Sequence, residues 1–129
     1  MADPVVILRT AGARRAIRME AVIEVVRMIA LLDVPNGPPW MLGIADRHGD
    51  LVPVLDLSLH SGGAPTTIGL QTRIAFCEVD GRIVGLAADD AEAVLEAEIV
   101  DAPGSQPIGV VRIGDDRVVL VDLCELAVM

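Results

Sequence analysis

The chain has no lysine and no tyrosine, and only one tryptophan and one phenylalanine among 129 residues. A core with so few aromatic rings has to be assembled from Val, Leu, Ile and Ala. Val and Ile are stiff at χ1 and fit a pleated surface, so the composition leans towards β-structure. All ten basic residues are arginines, scattered apart from the Arg14-Arg15 pair, against 19 Asp and Glu. A net charge of −9 argues against a phosphate-binding surface, so no nucleic acid partner is expected. The acidity reads mainly as solubility, with a weaker pointer to a basic partner. Only two cysteines occur, Cys77 and Cys124, too far apart for a CxxC pair, and they read as small buried hydrophobes. No apolar run reaches the roughly 18 residues that span a bilayer. The start, Met1-Ala2-Asp3-Pro4, lacks a basic region followed by an apolar one. No membrane insertion is therefore expected, and the cytoplasm is the expected location.

What is present is apolar residue in quantity. Hydrophobic residues make up 53% of the chain, and its length suits one domain that buries roughly two-thirds of its unfolded surface. Twice a turn opens a run of branched apolar residues that closes on Asp-Leu. The first copy is His48-Gly49-Asp50, Leu51 to Leu55, then Asp56-Leu57; the second is Gly114 to Arg117, Val118 to Val121, then Asp122-Leu123. The two aspartates stand 66 residues apart (122 − 56), about half the chain. The sequence thus reads as one domain, residues 1–129, built of two related halves at approximately 1–65 and 66–129.

Each half contributes two strand-turn-strand units. Val5 to Leu8 and Ala16 to Arg18 flank Ala11-Gly12-Ala13, and Met41 to Ala45 and Leu51 to Leu55 flank His48-Gly49-Asp50. Arg73 to Glu78 and Ile83 to Ala87 flank Asp80-Gly81, a dipeptide suited to the positive φ of a tight hairpin. Ile108 to Ile113 and Val118 to Val121 flank Gly114-Asp115-Asp116. Between hairpins, Met19 to Val25 resembles Ala88 to Val94 at an offset of 69 (89 − 20), and Glu20 and Asp89 are each placed to start a short helical turn. Asp56 and Asp122 suit the same role after their strands, the second leading into a short helix through Leu123, Leu126 and Ala127. Ser61 to Thr67 reads as the loop between the halves and Asp101 to Pro107 as a second loop. Val34 to Pro39, with three prolines, must be an ordered turn or an exposed lip.

Catalytic constellations are weak. Asp56, Ser58 and His60 would share one face of an extended strand, but side chains two apart stand about 7 Å apart, too far for a relay with contacts of about 3 Å. A hydrolase built on them is a remote alternative. A carboxylate dyad from the two repeat aspartates is less apt than helix capping. His48, His60, Cys77 and Cys124 show no zinc-site spacing, and Gly62-Gly63 belongs to no phosphate loop. No cofactor, metal or catalytic residue is expected. What remains is surface: Trp40 beside the proline lip, as a core plug or a partner anchor, and Arg47-His48 at a hairpin tip.

With these residues in view the chain resembles a CheW-like domain, the adaptor fold of bacterial chemosensory arrays. The likeness is sharpest from Pro38 to Leu57, where a proline, a bulky residue (Trp40), Gly43, a turn ending in Gly49 and an apolar strand ending at Asp56-Leu57 follow in order. Gly85 to Asp89 followed by Val94, and the close at Asp122-Leu123, match the second half. The resemblance implies two small five-stranded SH3-like barrels packed on a shared hydrophobic core, with short helices. It implies a non-catalytic adaptor that couples a chemoreceptor's cytoplasmic tip to the regulatory domain of a CheA-type histidine kinase. It places the receptor-facing groove near Val34, Gly43, Arg47, His48 and Gly49. The chain departs from the family at the turn, where His48 replaces the usual arginine and Arg47 the usual leucine. That substitution motivates an alternative, a diverged adaptor that binds kinase or itself but not a conventional receptor.

Overall fold

The computed structural model describes residues 2–10, 13–60, 62–101 and 109–121. Among the described residues ten strands follow one another: β1 (Ala2–Thr10), β2 (Ala13–Arg18), β3 (Val22–Arg27), β4 (Met41–Arg47), β5 (Asp50–Asp56), β6 (Arg73–Val79), β7 (Arg82–Ala88), β8 (Asp90–Asp101), β9 (Gly109–Ile113) and β10 (Asp116–Leu120). A 3₁₀ turn, Met19–Ala21, precedes β3, and a four-residue helix, α1 (Leu57–His60), follows β5. No helix among the described residues is long and apolar enough to cross a membrane.

The four expected hairpins are present as β1–β2, β4–β5, β6–β7 and β9–β10. The segments between them differ from expectation. Glu20 does sit in a helical turn, but Asp89 does not start one; its N–H donates to the Arg9 carbonyl and β8 begins at the next residue. The open edge of β1 offers a ladder from Leu8 back to Val5, and pairing with it outweighs the local helical tendency of Ala91 to Val94. The strand end at Asp56 also turns sooner than the alternating pattern implies, because α1 winds Leu57 to His60. The expected short helix after Asp122, the loop 102–107, and Gly12, Ser61 and Cys124 lie outside the described residues.

The strands form a closed barrel, β1-β2-β10-β9-β8, and a second five-stranded sheet, β3-β6-β7-β5-β4. Each takes strands from both sides of residue 65. The orders are equivalent: a hairpin from one half (β1–β2 or β6–β7) joins three strands from the other (β8 to β10, or β3 to β5). Both contain one parallel junction, β10 with β2 and β5 with β7. There Leu120 faces Ala16 and Val54 faces Gly85, so the sequence offsets of 66 and 69 recur as register. The edges of the second sheet, β3 and β4, are linked by the chain that follows β3. Met28 donates to the Thr72 carbonyl beside β6, and Leu32 exchanges two backbone hydrogen bonds with Ile44 of β4.

Period-two alternation then creates three cores from ten strands. Val5, Ile7 and Ala16 point into the closed barrel with Ala97, Val111 and Val118. Ile74, Phe76 and Ala87 point into the second sheet's own core with Ala45, Val52 and Val54. The opposite faces of the two hairpins meet between the units, where Val6, Leu8 and Ile17 pack with Ala75, Cys77, Val84 and Leu86, and with Leu55 and Leu57. Gly85 is required on the side facing the second sheet's own core, where a Cβ would stand 3.0 Å from both Ile74 and Val54.

Candidate partner-docking site

The β4–β5 hairpin turns through His48 and Gly49, with φ of 53° and 92°. Positive φ at both central residues is the hairpin turn that matches the twist of the flanking strands, and His is among the non-glycine residues that tolerate it. The Gly49 N–H donates to the Asp46 side chain at 2.9 Å, and Arg47 pairs with Asp50 across the turn. His48 is therefore exposed on the turn itself, while Arg47, the last residue of β4, points back along the sheet.

Arg47 is bound on two sides. Its Nε donates to Glu24 Oε1 of β3 at 2.9 Å, and its guanidinium carbon lies 5.7 Å from the centre of the Phe76 ring. Glu24 faces Phe76 in the β3–β6 register, so carboxylate, cation and ring stand at one mouth of the second core. The arginine side chain is only 17% exposed, which strengthens both the ion pair and the cation–π contact relative to a fully hydrated pair. This pair ties β4 to β3, the two strands the sheet ladder leaves unjoined. Sequence reading singled out Arg47 but not Glu24 or Phe76, since nothing local signals a pairing across 23 residues.

The other anticipated residues have different surroundings. Val34 is half-buried in the proline lip, where its carbonyl accepts from the Gly37 N–H. Gly43 is buried; with φ of 153° it admits the Leu31-Leu32 segment so closely that a Cβ would stand 2.5 Å from the Leu32 carbonyl oxygen. Trp40 is half-buried against the shared core and meets the His60 ring edge-on at 5.5 Å. Its carbonyl accepts from Asp56 N–H at 2.7 Å, pinning the lip to the end of β5. Val34, Trp40 and Gly43 thus position the hairpin, and His48 and Gly49 form its exposed tip. Exposed apolar residues on these strands are Leu51, which faces Asp46 across the hairpin, and Ile23 and Val25, which flank Glu24 along β3. Val25 pairs with Ala75, a member of the shared core.

Asp56, Ser58 and His60 form no catalytic relay. Asp56 is 1% exposed and caps α1 through the Ser58 and Leu59 N–H groups at 3.1 and 3.4 Å. It also accepts from the Thr66 N–H and hydroxyl at 2.9 and 2.7 Å. The Ser58 hydroxyl donates to the Ala64 carbonyl at 2.5 Å, and His60 is set against Trp40. Burial pushes the Cys77 thiol up to about 12, far from the range of a nucleophile.

A model of the CheW-like domain matches residues 4–127. The chain is 27% identical over 93 residues to protein FrzA of Myxococcus xanthus, a match covering 72% of this chain and 58% of that protein. It is 29% identical over 62 residues to a probable chemotaxis protein CheW of Rhizobium etli, covering 48% of this chain and 40% of that one. The matches thus span about half the length of these relatives. The crystal structure of the scaffolding protein TtCheW from Thermoanaerobacter tengcongensis superposes with a TM-score of 0.84 at 24% identity, covering 95% of this chain and 90% of that one. With two five-stranded units packed on one core and a family match over nearly its whole length, the chain belongs to the CheW-like domain family.

Proposed function

We propose that this protein is a cytoplasmic adaptor that couples a chemoreceptor to a CheA-type histidine kinase through protein–protein contacts. The observation that carries this reading is the Arg47–Glu24 pair over Phe76, which holds the β4–β5 hairpin against β3 at the surface the family resemblance marks as receptor-facing. A tip held by an ion pair and a bulk aromatic loses little freedom on binding, which favours docking. The apolar fringe of Ile23, Val25 and Leu51 supplies the contact area. The equivalent strand orders of the two units support reading the chain as one domain of two related halves, 1–65 and 66–129.

Calorimetric titration with the regulatory domain of a CheA-type kinase from the same organism, and then with a receptor tip, tests the reading. Saturable binding of both is expected, and Arg47→Ala is expected to weaken receptor binding while the fold persists. Absence of binding to either partner would overturn the adaptor role. His48 in place of the turn arginine favours one second reading, an adaptor that binds kinase or itself but no conventional receptor. Kinase binding without receptor binding is its signature.

A further inference from the structure

Among the described residues, the closed barrel carries an outward apolar face across β8, β9 and β10. Val100, Val110 and Val119 face one another in a continuous row across β8, β9 and β10. Their neighbours Val111 and Val118 are buried in the barrel, so by strand alternation the row points outward. Val100 and Val119 are 38% and 43% exposed. The adjoining outward row is charged and runs from Glu98 on β8 through Arg112 on β9 to Arg117 on β10. Arg112 is ion-paired with Glu98. Beyond Val119 the next residue in register is Arg15 of β2.

The β8 side of this face has a further feature. Between the pairs Val5–Val94 and Asp3–Ala97, two residues of β8 oppose the single residue Pro4 of β1. Proline has no N–H to give to the ladder, and the extra residue is accommodated as a bulge. The bulge carries Leu95, 69% exposed, and exposed Glu96. One flank of the valine row is thus acidic and holds a protruding leucine, and the other holds Arg117 and Arg15.

We propose that this face docks on the same face of a second copy of the chain. A two-fold axis through Val110, the central member of the row, lays the acidic flank of one copy over the arginine flank of the other. Such an isologous contact satisfies both signs at once and lets the valine rows cover each other. In a chain of net charge −9, an apolar row with arginines along one flank is where self-repulsion is weakest. The pairing leaves the β4–β5 tip uncovered and does not depend on the adaptor reading.

Sedimentation equilibrium from micromolar to millimolar protein tests the proposal. A reversible monomer–dimer equilibrium is expected, weakened by salt. Val119→Asp is expected to raise the dissociation constant by about tenfold or more. Arg117→Glu and Glu96→Arg, both at exposed positions, are each expected to weaken the dimer, and the double variant to restore it. A monomer throughout the range would overturn the proposal. So would a dimer unchanged by Val119→Asp and Arg117→Glu, or charge reversals without mutual rescue.

Discussion

Cys77 has an unusual thermodynamic isolation in this chain. Its thiol, pushed up to about 12 by burial, ionises near 9.0 once unfolded. Between those values the unfolded state has lost a proton that the folded state keeps, so stability falls as pH rises, by about 1.4 kcal/mol per pH unit for one such group. With no lysine or tyrosine, cysteines are the only side chains that ordinarily titrate there. Urea denaturation at a series of pH values should show a decline above pH 9 that is shallower in Cys77→Ala, with stability from this group fully present below 9. At Gly43, alanine brings a Cβ to 2.5 Å from the Leu32 carbonyl oxygen. Gly43→Ala should therefore cost about 3 kcal/mol, read as a lower urea midpoint at unchanged slope.

Among the elements, the four-residue α1 is far too short to hold by propensity, and its persistence rests on Asp56. The same carboxylate holds Thr66, so one side chain orders both the end of β5 and the connection between halves. Asp56→Asn removes one acceptor from this group and should cost about 2 kcal/mol. It should also speed proteolysis within residues 62–71 more than elsewhere, which mass mapping of limited digests would show. The β4–β5 hairpin has its own dependence on Arg47. Arg47→Ala leaves Glu24 unpaired and uncovers Phe76, so amide exchange should rise in β3 and β4 while the closed barrel stays protected.

At the scale of the molecule, the halves are complementary rather than side by side. Every barrel or sheet junction between them is a strand ladder: β1 with β8, β2 with β10, β3 with β6 and β5 with β7. A single cut in the exposed connection after Gly62 should therefore leave the two fragments associated in a native gel. Unfolding should then become concentration-dependent, because separating the fragments is now part of it. Fragments that separate without denaturant would contradict this interlocking.

Much was legible in the residues. The hairpins follow from alternating apolar runs around Gly49, Gly81 and Gly114, and capping by Asp56 follows from a carboxylate placed after a strand. The offset of the repeats determined their shared register, since equivalent side chains pack equivalently. Local patterning failed at β8, because a segment of alanine and acid becomes a strand only when β1 presents a free edge to it. It failed again for Glu24 and Phe76, whose relation to Arg47 is made by sheet closure over long sequence separations. Strand period and turn chemistry act over a few residues, so the β hairpins and the lack of a catalytic motif are written in the residues themselves. That each unit borrows a hairpin from the other half emerges only on folding, because strand pairing is settled by which edges remain open once the shared core has formed.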